Sequence, residues 1–243
     1  MARRRFFVET VEDGRAVVRG EQAHHLYHVL RVKPDQVFEL SDRRRLYLGR
    51  VTAAQSSVIE FAVDQELPAG PALPKVTLLA AVFKFDRLEW MVEKATELGV
   101  ERIVPVVAAR TELALARAAA RRVERWRRIA FEAAQQSRRL APPEIAEVTP
   151  FDRAVRETAP GGGRWMLDET RGGAESRERL TPGSGAALLV GPEGGWTDKE
   201  RTMALESGFV PVGLGPLILR AETAAIAALA VLLYAKPDPA DLQ

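Results

Sequence analysis

The chain opens with short alternations of apolar and polar residues and closes with longer apolar runs; the change falls near residue 70. Arg5–Glu9, Arg15–Arg19, Gln36–Leu40, Arg45–Val51 and Ser57–Val63 carry β-branched or aromatic residues between turn signals such as Asp13-Gly14 and Pro34-Asp35. Short strands of this kind close economically into a small β-barrel. A helical piece over His24–Leu30 interrupts them. Leu67–Pro74 then holds three prolines and a glycine, the composition of a linker.

Beyond the linker the pattern is different. Val76–Val82 is continuously apolar, as expected of a strand covered on both faces. Asp86 and Glu89 have capping-box spacing, and the helix they start should stop at Gly99. Arg102–Val107, Trp165–Leu167 and Ala186–Val190 read as further strands. Glu112–Leu140 is helical in composition with an early break. Thr197 and Glu200 have the spacing of a second capping box, and Glu222–Ala235 is an alanine-rich closing helix. Strands alternating with helices predict a mostly parallel α/β sheet. The expected division is therefore a barrel over residues 1–70 and an α/β domain over 74–243.

Composition narrows the chemistry. Of 243 residues 47% are hydrophobic and 28% charged, enough for a large core. There is no cysteine, which excludes disulfides, thiolate zinc sites and a cysteine nucleophile. The three histidines, His24, His25 and His28, share one short stretch, so no metal site is expected. Ala224–Ala235, the longest apolar run, is far short of the roughly 20 residues that span a bilayer. The opening Ala2-Arg3-Arg4-Arg5 does not lead into a secretory signal. A cytoplasmic protein without membrane attachment is the expectation. Net charge is only +2, but arginine dominates the basic residues, and its planar fork suits phosphates and base edges.

The sharpest signals are two glycine-rich segments. Gly191-Pro192-Glu193-Gly194-Gly195-Trp196 follows a buried strand and precedes a helix start. Leu214-Gly215-Pro216-Leu217-Ile218-Leu219-Arg220 does the same before Ala221-Glu222-Thr223-Ala224. Glycine at a strand exit permits positive φ and close ligand approach. Apolar side chains beside exposed backbone groups suit an adenine ring. The first segment lacks the Lys-Ser/Thr of a P-loop, and its glycines do not match the dinucleotide fingerprint.

These two segments resemble the SPOUT class of RNA methyltransferases, and within it the family that methylates N3 of a uridine in 16S ribosomal RNA. Further motifs agree: Arg4-Arg5-Phe6-Phe7-Val8, His24-His25-Leu26 with Val29-Leu30-Arg31, and Lys84–Val100. Ala134-Gln135-Gln136-Ser137-Arg138 resembles the family's Gln-Ser-x-Arg segment. Arg138 stands where the family has glycine, so the family arginine is shared between Arg138 and Arg139.

The resemblance implies a PUA-like amino-terminal barrel followed by a SPOUT α/β domain with a carboxy-terminal trefoil knot. It implies a homodimer that acts on 16S ribosomal RNA or the small ribosomal subunit. It also implies S-adenosyl-L-methionine (SAM) as methyl donor, without a metal. SAM would lie against Leu167, Gly191, Pro192, Glu193, Gly194, Gly195, Leu214, Gly215, Leu217, Ile218, Leu219, Thr223 and Ala224.

RNA contact is expected from Arg3, Arg4, Arg5, Arg31 and Arg139. It is also expected from the basic run between Arg117 and Arg139, although acids of another element could pair with it. Loss of the uracil N3 proton spreads negative charge onto the flanking carbonyls, which a cation stabilises. Arg220 and Arg138 are the candidates. Arginine does not deprotonate in proteins, so the proton falls to Glu222, Glu193 or water. Two rivals are a SPOUT enzyme acting on transfer RNA and a non-catalytic RNA-binding assembly factor.

Overall fold

The computed structural model describes residues 4–158, 162–169, 180 and 185–235, which form two compact units. The first holds residues up to Pro71 together with Ala134–Pro142; the second holds Ala72–Ala133 and the rest. The segment 134–142, which the sequence reading placed with the α/β domain, thus belongs to the amino-terminal unit.

The first unit is built on a six-stranded sheet in the order β1-β4-β5-β6-β3-β2. Its strands are β1 (Arg5–Phe7), β2 (Val11–Glu12), β3 (Arg15–Arg19), β4 (Val37–Ser41), β5 (Leu46–Gln55) and β6 (Val58–Leu67). β1 and β4 run parallel and the other pairs antiparallel. Alternate residues turn inward: Leu40, Val51, Ile59 and Phe61 meet Val18, Ala23 and Leu26 in one core. Gly49 is required where β5 crosses β4, since a Cβ there would lie 2.3 Å from Leu40 Cδ1. Between β3 and β4 the chain makes helix α1 (Gly20–His24) and one π-helical turn (His25–Val29).

The second unit is a sheet of seven parallel strands, β10-β8-β7-β12-β11-β13 with β9 beside β8. These are β7 (Lys75–Ala81), β8 (Arg102–Val107), β9 (Glu144–Ile145), β10 (Thr149–Pro150), β11 (Gly163–Leu167), β12 (Gly185–Val190) and β13 (Val210–Val212). The helices are α2 (Phe85–Leu98), α3 (Leu113–Ala119), α4 (Val123–Gln136), α5 (Phe151–Glu157), α6 (Asp198–Glu206) and α7 (Ala221–Tyr234). A short 3-10 turn separates α3 from α4, the break expected early in that stretch.

β7 and β12 are buried on both faces, which explains their uninterrupted apolar sequence. Leu78, Ala80, Leu188 and Val190 pack with α2, α4 and α7. Leu79, Ala81, Ala187 and Leu189 pack on the other side with α5 and α6.

The two expected capping boxes part company. Thr197 and Glu200 form one at the start of α6. At α2 the N-cap is Lys84, with no side-chain cap, and Glu89 instead accepts from Arg125 at 2.7 Å and 2.8 Å. Gly99 ends α2 in the left-handed region, at φ 108°.

Candidate functional site

At the carboxyl end of β12 the chain enters Gly191–Trp196. Trp196 is fully buried, and its indole N–H donates to Leu167 O at 2.9 Å, tying the loop to the end of β11. Gly191 makes room for that ring: a Cβ there would lie 3.1 Å from the indole. The Gly195 amide donates to Pro192 O at 2.9 Å, closing a tight turn with Gly195 at φ 68°. Arg110 donates to Gly194 O at 2.7 Å. Glu200, inside its capping box, also accepts from the Ala109 amide at 2.8 Å. The loop is therefore fixed from several sides before any ligand arrives.

The second loop leaves β13, an edge strand paired with β11, and runs from Gly213 to Arg220. Gly215 has φ 146° and open space around it. Leu214 packs against the core, whereas Leu217 and Ile218 are 77% and 89% exposed. Arg220 caps α7 with extended backbone, and its carbonyl accepts from the Ala224 amide at 2.8 Å.

The two loops face one cavity of about 460 Å³. Among the residues expected from sequence, Leu167, Gly191 to Gly195, Leu214, Gly215, Leu217, Ile218, Leu219, Arg220 and Ala224 line it. Exposed Thr223 and buried Glu222 do not. Glu222 is 8% exposed: one carboxylate oxygen lies 3.8 Å from Arg87 Nε, and the other is buried without a hydrogen-bond partner. Glu222 thus approaches Arg87 of α2. Arg87 also reaches Glu193 at 3.5 Å, linking α2 to the first loop.

Sequence reading missed Asp168 and Glu169, which line the same cavity after β11. Asp168 is buried and holds Arg201 at 2.8 Å, an interaction that pushes the Arg201 pKa up. Its signal was local: an acid directly following a buried strand.

The donor set fits SAM. Cavity size lies within the ordinary ligand range of about 300–1,000 Å³. Leu167, Leu214 and Leu219 offer apolar contact to an adenine, the glycine turns offer backbone groups, and Glu169 suits a ligand bearing positive charge, Asp168 being paired with Arg201. A second cavity of similar volume opens at the amino-terminal ends of the strands, lined by Lys75, Arg102 and Gly185. Ligands of open α/β sheets bind at the carboxyl ends, which favours the loop site.

Comparison with known proteins agrees with this geometry. An RNA methyltransferase domain family matches residues 71–233, and an RNA methyltransferase PUA domain family matches residues 18–61. The chain belongs to the RNA methyltransferase family. A ribosomal RNA small subunit methyltransferase E from Bacillus subtilis (strain 168) is 33% identical over 238 residues, covering 89% of each chain. The crystal structure of the Neisseria gonorrhoeae ribosomal RNA small subunit methyltransferase E bound to SAM is 30% identical, with TM-score 0.85, covering 94% of this chain and 96% of that one. A SAM-bound methyltransferase structure from Legionella pneumophila has TM-score 0.86 at 26% identity, covering 96% and 97%. The family places a PUA-like unit before a methyltransferase α/β unit, as expected from the sequence.

The arginines divide sharply. Arg3 lies outside the described residues. Arg4 and Arg31 are exposed, the latter at φ 52°. Arg5, expected at the RNA, is buried and pairs with buried Glu39 at 2.8 Å. Arg138, expected near the reacting base, is engaged by the same Glu39. Its carbonyl accepts from Arg5, completing a closed cluster inside the first unit. Burial alone would raise the Glu39 pKa, but hydrogen bonds from Arg138 and Arg5 outweigh it and hold the carboxyl below its usual range. Arg139 donates to Ala141 O at 3.1 Å.

In the basic run, Arg122 and Arg125 pair with Glu89, and Arg127 pairs with Glu124 and Glu147. Arg117, Arg121 and Arg128 are exposed. Among the described residues no cluster suits a metal ion, and no helix is long and apolar enough to cross a membrane.

Proposed function

We propose that the protein methylates N3 of a decoding-region uridine in 16S ribosomal RNA, using SAM, on the assembled small subunit in the cytoplasm. One observation carries the reading: two glycine turns, Gly191–Gly195 and Gly213–Gly215, line a single cavity with Arg220 at its wall. The names of the relatives agree with it.

When bound, SAM supplies an electrophilic methyl carbon; the chain's residues must present the base, stabilise its charge and remove its proton. Backbone groups of Gly191–Gly195, fixed by Trp196 and Arg110, and of Gly213–Leu219 would hold the cofactor. Arg220 stabilises the charge that spreads over the uracil carbonyls as N3 loses its proton, favouring the transition state over the ground state. The proton passes to Glu193, which lines the cavity, or to water; Glu222, named beside them from the sequence, is buried outside the cavity lining. A uridine held in a helix must first turn outward.

The knot and the homodimer belong to the same proposal. The exposed apolar Leu217 and Ile218 beside the cavity support a second copy covering them, which sedimentation equilibrium would test. The decisive experiment is methylation of purified small subunits and of naked 16S RNA, followed by nucleoside mass spectrometry. N3-methyluridine, formed preferentially on the subunit, is expected. A product on a ribose hydroxyl or on transfer RNA would overturn the substrate assignment. Absence of SAM binding by calorimetry would favour an assembly factor.

A further inference from the structure

The π-helical turn of the first unit carries a group of rings that the methyl-transfer site does not use. Within α1 and this turn only Ala23 and Leu26 are buried. His24, His25, Tyr27, His28 and Val29 all face solvent, with Tyr27 39% exposed. The rings are arranged, not scattered. His24 and His28 have centroids 4.3 Å apart, and Tyr27 meets His28 edge-on at 5.0 Å. All three of the chain's histidines are in this cluster.

The backbone beneath is held in an uncommon form. The Leu30 amide donates to His25 O at 3.1 Å, five residues back, and Val32 donates to Leu26 O at 3.1 Å. Single π-turns are rare and recur at functional sites. Arg31 then adopts the left-handed region, and Arg31 and Lys33 stand exposed directly after the rings.

We propose that this face is a stacking platform for an unpaired base of the substrate RNA, with Arg31 and Lys33 meeting its flanking phosphates. Unpaired bases stack on Tyr and His rings whatever their sequence, and cations beside the rings hold the backbone. A protein partner is the poorer match, because the rings carry polar edges and Val29 is the only aliphatic side chain fully presented with them. The inference rests on the RNA reading of the previous subsection. It adds a contact outside the methyl-transfer loops, within the segment matched by the PUA family.

The test uses the full-length protein, a single-stranded uridine-containing oligoribonucleotide and a duplex of the same composition. Binding is followed by fluorescence anisotropy at several salt concentrations. Tyr27→Ala and His28→Ala should each weaken single-strand binding about tenfold, with duplex binding and the salt slope held. Tyr27→Phe should restore most of the loss. Arg31→Ala should weaken both RNAs and lower the salt slope by about one. SAM affinity, read by calorimetry, reports that the second unit is intact in every variant. Single-strand affinity within twofold of the parent for Tyr27→Ala overturns the platform, as does an equal loss on duplex. A parent protein that makes no N3-methyluridine, while the Tyr27 and His28 losses persist, would sink the proposed reaction and leave the platform standing.

Discussion

Gly195→Ala tests whether the first loop binds through its backbone shape. Gly195 sits at φ 68°, where an L-residue costs about 1–2 kcal/mol. The new Cβ would also lie 2.7 Å from Glu169 Oε1. That oxygen is the far end of an exposed, flexible side chain, so it can move and the backbone term dominates. The strain must appear in one of two places. A variant that keeps the turn is less stable; one that relaxes must rebuild the turn to bind SAM. The losses in stability and in binding should therefore sum to about 1–2 kcal/mol, or roughly 5- to 30-fold in Kd if binding bears it all. Denaturant unfolding and calorimetric titration with SAM measure the two parts. Gly194→Ala is the control. Its φ is not positive, and its Cβ would meet Arg110 Cβ at 3.4 Å, an ordinary contact. A combined change under about 0.5 kcal/mol is expected there. Equal losses in both variants, or none at Gly195, would refute the argument.

Three other outcomes are expected. Arg220→Ala should leave SAM affinity within a few-fold and slow single-turnover methyl transfer by about 10²–10³, the scale of one lost transition-state donor; a rate within a few-fold of the parent would remove Arg220 from the mechanism. Trp196→Phe should leave the buried Leu167 carbonyl without its donor, cost about 1–3 kcal/mol in unfolding free energy and weaken SAM binding; unchanged stability would show that the tie is dispensable. Glu39→Ala should destabilise the first unit by about 3–5 kcal/mol, because Arg5 is left buried without its partner. The Glu39 pKa is lower folded than unfolded, so its stabilisation is full above the unfolded value and fades as pH falls through the lowered folded one. Unfolding followed from neutral pH to below 4.5 should show the parent losing stability more steeply than Glu39→Ala; parallel curves would contradict this.

What could be read from the sequence follows from where the physics resides. The cofactor loops were legible because their geometry is local: a buried run, a glycine or proline that bends the exit, and a helix start within a few residues. The strand expected before the second loop carried no bounds in the sequence because Val210-Pro211-Val212 is short and proline-interrupted; it is an edge strand, not a buried one, and such a strand survives only where β13 lies. Yet β13, through its pairing with β11, sets the second loop beside the first. Spacing alone also misread the start of α2, where Glu89 serves Arg122 and Arg125 on another element instead of a cap. The same kind of distant pairing claims Arg5 and Arg138, whose common partner Glu39 is 99 positions from Arg138. A run of arginines therefore announces positive charge without saying which charges are available. Only a residue's partners decide that, and they leave Arg220 and Arg31 exposed for chemistry while Arg5 and Arg138 are occupied in holding the first unit together.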